Sequence, residues 1–166
     1  LQGGLEPAVA ALAHNARGVV RAMAGAVDDA LHDFDAAARQ GGEGAAGGTV
    51  AGEANVNRAT LLIQLGRHDD AEGSLRSAIA AFRAAGDAAR EARSLGTLGG
   101  LQFGRGLLRE ALPLYRKAKE LLLPAQPRDA ARTHLNMAEC HLWLGERDAA
   151  RAQLEAAAAL DAICGS

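Results

Sequence analysis

Apolar residues recur along this chain at helical spacing, and no segment alternates apolar and polar positions over a useful length. Val9, Leu12, Val19 and Met23 mark a first helix over residues 5–24, with Pro7 in the opening turn, where a missing amide donor costs little. Gly25 ends it. Asp28 and Asp29 place negative charge at the start of a second helix, which Leu31, Phe34 and Ala38 carry to Gln40. A third helix is expected over Val50–Leu65 and a fourth over His68–Ala85, where Leu75, Ile79 and Phe82 form one stripe and Glu72, Arg76 and Arg83 face away. Helices over Ala88–Gly104 and Leu108–Leu123 follow, the second with Pro113 near its start. Residues 124–127 break the pattern, and two more helices run from Asp129 to Leu144 and from Arg147 to Ala162. Residues 41–49, with five glycines in the stretch Gly41–Gly48, read as the main loop, and 163–166 as a tail.

The pattern repeats. Gly25, Gly66, Gly106 and Gly145 stand 41, 40 and 39 residues apart, and each is followed five residues later by alanine: Ala30, Ala71, Ala111 and Ala150. Seven residues before each glycine is a small residue (Gly18, Ala59, Gly99, Ala138), and nine after it a large one (Phe34, Leu75, Tyr115, Leu154). Twelve after it alanine returns as Ala37, Ala78, Ala118 and Ala157. A period near 40 kept over four copies is the signature of a repeat array. The small residues let helix axes approach closely, and the large one fills the space left over. The expectation is therefore all-α: a right-handed superhelix (solenoid) of four helix pairs over residues 5–162, with repeats at 5–40, 50–85, 88–123 and 129–162.

At these residues the chain resembles the tetratricopeptide repeat (TPR) family. The blocks from Leu65 through Gly66 to Ala71 and from Leu144 through Gly145 to Ala150 are similar to that family's turn into its second helix. The period exceeds the common 34 residues of the family, and the consensus tryptophan and proline are largely missing. Longer repeats of this kind, with Asn57-Arg58-Ala59 ahead of Leu65-Gly66-Arg67, resemble bacterial arrays attached to transcription regulators, signalling ATPases or caspase-like proteases. The resemblance implies a concave surface lined by the first helix of each pair.

Composition narrows the classes. A 49% apolar content with 23% charge belongs to a folded chain. A net charge of −2 leaves no electrostatic footprint for nucleic acid. No stretch approaches a membrane span, and no secretory signal opens the sequence; a cytoplasmic protein is expected, and the missing initiator methionine suggests a trimmed chain. Cys140 and Cys164 form no disulfide framework and are expected as reduced thiols.

Candidate chemistry follows from the face each first helix would turn to the concave side. Steps of three and seven residues keep side chains on one face. On the third helix that face carries Asn57, Thr60 and Gln64, and on the seventh Asn136, Glu139 and Trp143. Polar stripes on helices otherwise rich in leucine and alanine fit a binding surface, with Trp143 as aromatic anchor; the alternative is a solvated face on which Trp143 covers an unfinished end. Arg93 and Arg132 lie one turn ahead of Thr97 and Asn136 and are suited to pairing a carboxylate. This is similar in part to the carboxylate clamp of chaperone-binding members, although Thr97 stands where a basic residue is wanted. Gly96, Gly100 and Gly104, four apart, form a bare strip along the same face: a place of close backbone approach, a soft joint or compositional drift.

Catalysis and metal binding find no support. His134 and His141 are seven residues apart, about 10.5 Å along a helix and too far to share one ion; His141 is expected to face the partner helix. Cys140 lacks an adjacent base, and the acid pairs at helix starts read as caps and dipole partners. The reading is a non-enzymatic module, without cofactor, that holds a protein or peptide in its groove. A sensor array within a larger signalling protein and a structural module that self-associates through uncapped ends, by way of Ala156–Leu160, are the alternatives.

Overall fold

The computed structural model describes residues 5–41, 45–123 and 126–164. They form eight α-helices and, among the described residues, no strand: α1 (Leu5–Met23), α2 (Val27–Gln40), α3 (Ala45–Gln64), α4 (His68–Ala84), α5 (Ala88–Gly104), α6 (Leu108–Leu122), α7 (Pro127–Trp143) and α8 (Arg147–Cys164). The fold is an all-α helical repeat. The chain divides into two compact units, Leu1–Arg90 and Glu91–Ser166, with the boundary inside α5. In the first unit α1 packs on α2, α3 packs on α4, and α3 also lies against both α1 and α2. In the second unit α7 packs on α8 and on α6.

Each pair turns on the same hydrogen-bonded device. Gly25, Gly66, Gly106 and Gly145 have φ of 71–78°, a conformation that costs a side-chain-bearing residue about 1–2 kcal/mol. At the second of these turns the Gly66 amide donates to Ile63 (3.0 Å) and the Arg67 amide to Leu62 (2.8 Å). This is the Schellman pattern, which satisfies carbonyls the helix end would otherwise orphan. The other three repeat it, with Ala26 donating to Arg21, Leu107 to Gln102 and Glu146 to His141. Gly86, between α4 and α5, closes in the same way. Neither α2 nor α4 has a side-chain hydrogen bond at its N-cap, so Asp28, Asp29, Asp69 and Asp70 bring negative charge to the helix starts without capping them there, and Asp70 also pairs with Arg67.

The small and large repeat positions meet. A Cβ on Gly18 would stand 2.7 Å from the Phe34 ring, and one on Gly99 2.7 Å from the Tyr115 ring. Where the second-helix residue is leucine (Leu75, Leu154), the facing register position is alanine (Ala59, Ala138). Side-chain volume is thus traded across the pair, as close packing requires. Phe34 then clusters with Ala30 and Leu61, and Tyr115 with Ala111, Met137 and Cys140. Burial pushes the Tyr115 hydroxyl up to about 12 and raises the Cys140 thiol as well.

A second repeat position, eight after each turn glycine, is polar inside the first, second and fourth pairs. Asp33 is fully buried and accepts from Arg17 (2.9 Å), Arg21 (2.7 Å) and His14 (3.1 Å). The Arg17 hydrogen bonds, first among these, hold its carboxyl well below the usual carboxylate range despite burial. In the second pair Arg58 donates to Ser74 (2.5 Å), and in the fourth His134 donates to Gln153 (2.7 Å). The third pair is apolar in that register, with Leu114 opposite the positions of Leu95 and Leu98.

Three boundaries differ from expectation. Helix α3 begins at Ala45, so Gly47 and Gly48 are helical and belong to packing rather than to a loop over 41–49. A Cβ on Gly48 would lie 3.2 Å from the Ala81 carbonyl, and one on Gly52 2.5 Å from the Phe82 ring. Residues 42–44 of the expected loop lie outside the described residues. Pro127 opens α7 instead of breaking the chain, because its missing N–H falls where no intrahelical acceptor exists. Helix α8 continues to Cys164, two residues into the expected tail, of which 165 and 166 lie outside the described residues.

Candidate functional site

The expected recognition residues occupy four positions of the repeat, 13, 9, 6 and 2 residues before each turn glycine. In α3 these are Glu53, Asn57, Thr60 and Gln64; in α5 Arg93, Thr97, Gly100 and Gly104; in α7 Arg132, Asn136, Glu139 and Trp143. Intervals of four, three and four residues put all four on one helical face. The structure leaves that face open on each helix. Thr60, Gln64, Arg93, Thr97, Gly100, Gly104, Arg132 and Glu139 are exposed, Asn57 and Asn136 half-buried, and Trp143 is 72% exposed. Trp143 therefore covers no unfinished end, as the alternative for that face required.

Several of these groups are partly engaged. Asn57 donates its amide to Asn15 of α1 at 2.9 Å, tying the two first helices of the first unit side by side. The Thr60 and Thr97 hydroxyls donate back to the Val56 (2.9 Å) and Arg93 (3.0 Å) carbonyls, which leaves their oxygens as acceptors. Arg132 lies 3.2 Å from Asp129 on its own helix, an exposed pair of small energetic worth. Glu53 is bound to Arg90 at 3.1 Å. A Cβ on Gly96 or Gly104 would meet nothing within 4 Å, and one on Gly100 only the Tyr115 hydroxyl at 3.7 Å. Packing within the fold therefore does not account for the glycine strip.

The same register picks out residues that the polar stripes alone do not. In α1 the four positions are Leu12, Ala16, Val19 and Met23, and all are exposed. Because α1 and α3 are in contact, an apolar stripe runs beside the polar stripe of Asn57, Thr60 and Gln64. Counting back from Gly25 would have found them. Their apolar character pointed to a core instead.

The histidines and the cysteine do not converge. His134 is buried on Gln153, and Cys140 is fully buried beside Tyr115. His141 is mostly buried, and its Nδ1 donates to Glu146 in the following turn at 2.6 Å. Among the described residues no group of three His, Cys, Asp or Glu side chains is placed to hold a metal ion, and no helix is long and apolar enough to cross a membrane.

Comparison with known proteins bears on the fold. The family model described as tetratricopeptide repeat matches residues 50–123. No significant relative is found among curated proteins. Among solved structures, BtubC from P. vanneervenii is similar at a TM-score of 0.80 and 18% identity, over 96% of this chain and 66% of that one. YrrB, described as a TPR protein with an unusual peptide-binding site, is similar at 0.63 and 21% identity, over 91% of this chain and 69% of its own. The Rap conjugation gene regulator of plasmid pLS20, solved with the Phr* peptide, is similar at 0.65 and 19% identity, over 90% of this chain. The chain spans 41% of the Rap regulator's length. Residues 50–123 match that family's model, and α1, α2, α7 and α8 keep the same turn, small-residue and large-residue register.

Proposed function

We propose that this chain is a non-catalytic protein-interaction scaffold that holds a peptide or protein segment against the first-helix faces. The observation that carries the reading is the open face of α7, where Arg132, Asn136, Glu139 and Trp143 stand on one side of a helix whose other side is buried. An indole left this open to water exposes apolar area at a cost that a bound segment would remove. Along the same face the Asn136 amide, the Glu139 carboxylate and the Arg132 guanidinium supply the directional contacts that a peptide backbone and its side chains need. In the first unit the paired stripes of α1 and α3 favour a segment that is apolar on one side and polar on the other. The peptide-binding descriptions of YrrB and of the Rap regulator give the reading further support, as they show what this fold accommodates in other proteins.

The test uses a displayed random-peptide library selected on the chain, followed by titration with fluorescence from Trp143, the sole tryptophan. A selected peptide should shift the indole emission to the blue. The double variant Asn136→Ala, Trp143→Ala should weaken binding, measured by calorimetry, by about 2 kcal/mol or roughly thirtyfold, the scale of a truncated hot spot. Unchanged affinity in that variant, with helicity intact, would place recognition elsewhere.

A further inference from the structure

One seat of the repeat is filled twice by an aromatic ring, and the two rings differ by a hydroxyl. Phe34 and Tyr115 each stand nine residues after a turn glycine. Each ring lies against the glycine seven residues before that turn, Gly18 or Gly99, with a ring carbon 2.7 Å from where a Cβ would be. Phe34 shows that a phenyl group fills this seat. Tyr115 carries one oxygen more and is only 3% exposed. Among the described residues that oxygen has no hydrogen-bond partner, and it is not shut off from the surface. Burying a hydroxyl without a bond is costly, and packing gives nothing in return for it. Burial first, then the nearby Cys140 and Glu139, oppose its ionisation, so it stays a neutral donor.

The oxygen surfaces at Gly100, an exposed position of α5 where a Cβ would meet only this atom, at 3.7 Å. In the other pairs Val19, Thr60 or Glu139 occupies that register. Gly96 and Gly104 extend the opening to either side, and a Cβ on either would meet nothing within 4 Å. Three bare positions thus follow one another about 6 Å apart along the helix. Alternate residues of an extended chain are about 6.6 Å apart, nearly the same step. We infer that an extended peptide segment lies along α5, its alternate residues over Gly96, Gly100 and Gly104, and that one of its backbone carbonyls accepts from the Tyr115 hydroxyl. A helical ligand has its carbonyls bonded to its own amides, and a carboxylate would be repelled by Glu139, which leaves the carbonyl of an extended segment as the acceptor. Beside the strip, the Thr97 hydroxyl gives its hydrogen to the Arg93 carbonyl and keeps its oxygen for an amide of the same segment. The inference rests on the scaffold reading above and adds the conformation of the ligand and the atom it must offer.

Library-selected peptides titrated into the whole chain test it, with the variants Tyr115→Phe and Gly100→Ala checked by thermal circular dichroism. Tyr115→Phe keeps the ring that Phe34 shows to be sufficient. It should hold or raise Tm while weakening binding about three- to tenfold, the scale of one hydrogen bond. Gly100→Ala should raise Tm, as loss of a helical glycine does, yet weaken binding at least as much, because its methyl group stands between the segment and the hydroxyl. Peptide bonds replaced one at a time by esters, whose carbonyl is the poorer acceptor, should reveal one position that weakens binding to wild type and not to Tyr115→Phe. Wild-type affinity in both variants, or an ester scan without such a position, overturns the subsite; if the Asn136→Ala, Trp143→Ala variant still loses binding, the scaffold reading stands without it. Affinity lost in Tyr115→Phe and Gly100→Ala but kept in that double variant upholds the subsite and moves recognition off the α7 stripe. A library that yields no binder overturns both.

Discussion

Adding one carbon to Gly99 should destabilise the protein, and adding one to Gly96, a turn earlier in the same helix, should stabilise it. Both gain about 0.5–1 kcal/mol when alanine replaces glycine within a helix, because the unfolded chain loses freedom. What separates them is space. A Cβ on Gly99 would lie 2.7, 2.9 and 3.0 Å from three carbons of the Tyr115 ring, about 0.5–1 Å inside ordinary carbon contact. The ring cannot simply retreat, since it is buried among Ala111, Met137 and Cys140. Overpacking of this kind costs about 1–3 kcal/mol, which outweighs the helical gain and leaves a net loss near 1 kcal/mol. A Cβ on Gly96 meets nothing within 4 Å, so its gain stands alone. In a chain of this length 1 kcal/mol moves Tm by about 2–4 °C, readable by thermal circular dichroism. The control lies in the other pairs, where alanine stands in register with leucine: in a Tyr115→Leu background Gly99→Ala should turn stabilising, a coupling of about 1–3 kcal/mol in a double-mutant cycle. If Gly99→Ala and Gly96→Ala shift stability in the same direction, or Tyr115→Leu leaves the Gly99→Ala effect unchanged, the volume-trading account of the helix pairs is refuted.

Asp33→Asn should cost about 1–3 kcal/mol in chemical denaturation, because a buried acceptor of three basic side chains is lost while the half-exposed arginines keep access to water. The carboxyl is held below its unfolded value, so its contribution is fully present above about pH 4 and falls away as pH drops further; the Asp33→Asn variant should lack that part of the acid limb in pH-dependent urea melts. In a Cys164→Ser background Cys140, buried and with its thiol raised, should resist a thiol reagent at neutral pH until denaturant opens the fold, and prompt labelling of the native protein would contradict its placement. Gly66→Ala should destabilise by about 1–2 kcal/mol in the same melts through strain at positive φ, with no new contact to blame.

The repeat register was legible because turn glycines obey a local rule: a helix that ends in a Schellman motif needs a residue tolerant of positive φ, and four such residues at even spacing mark four pairs. The pairing of Gly18 with Phe34 and of Gly99 with Tyr115 was legible as a rule of sizes, though not as contacts. What composition concealed was the purpose of the other glycines. Gly47 and Gly48 read as loop, yet both lie in α3, where a Cβ on Gly48 would crowd the Ala81 carbonyl and one on Gly52 the Phe82 ring. Local propensity carries no information about a partner some thirty residues away. Asp33 was hidden for a similar reason: an acid among Ala30, Phe34 and Ala37 is explained only by Arg17 and Arg21 on the facing helix. Of the candidate face, the stripes on α3 and α7 were visible from their polarity. The stripe on α1 was not, since exposed Leu12, Val19 and Met23 look like a core until the register shows that they occupy the positions of Asn57, Thr60 and Gln64.

Amide chemical-shift mapping with a library-selected peptide bears most directly on the claim that the first-helix faces are the recognition surface. The account predicts shifts centred on residues 13, 9, 6 and 2 before the turn glycines, with Trp143 and Asn136 among them and the exposed faces of α2, α4, α6 and α8 silent. Shifts confined to the second helices, with the α7 stripe unmoved, would contradict it.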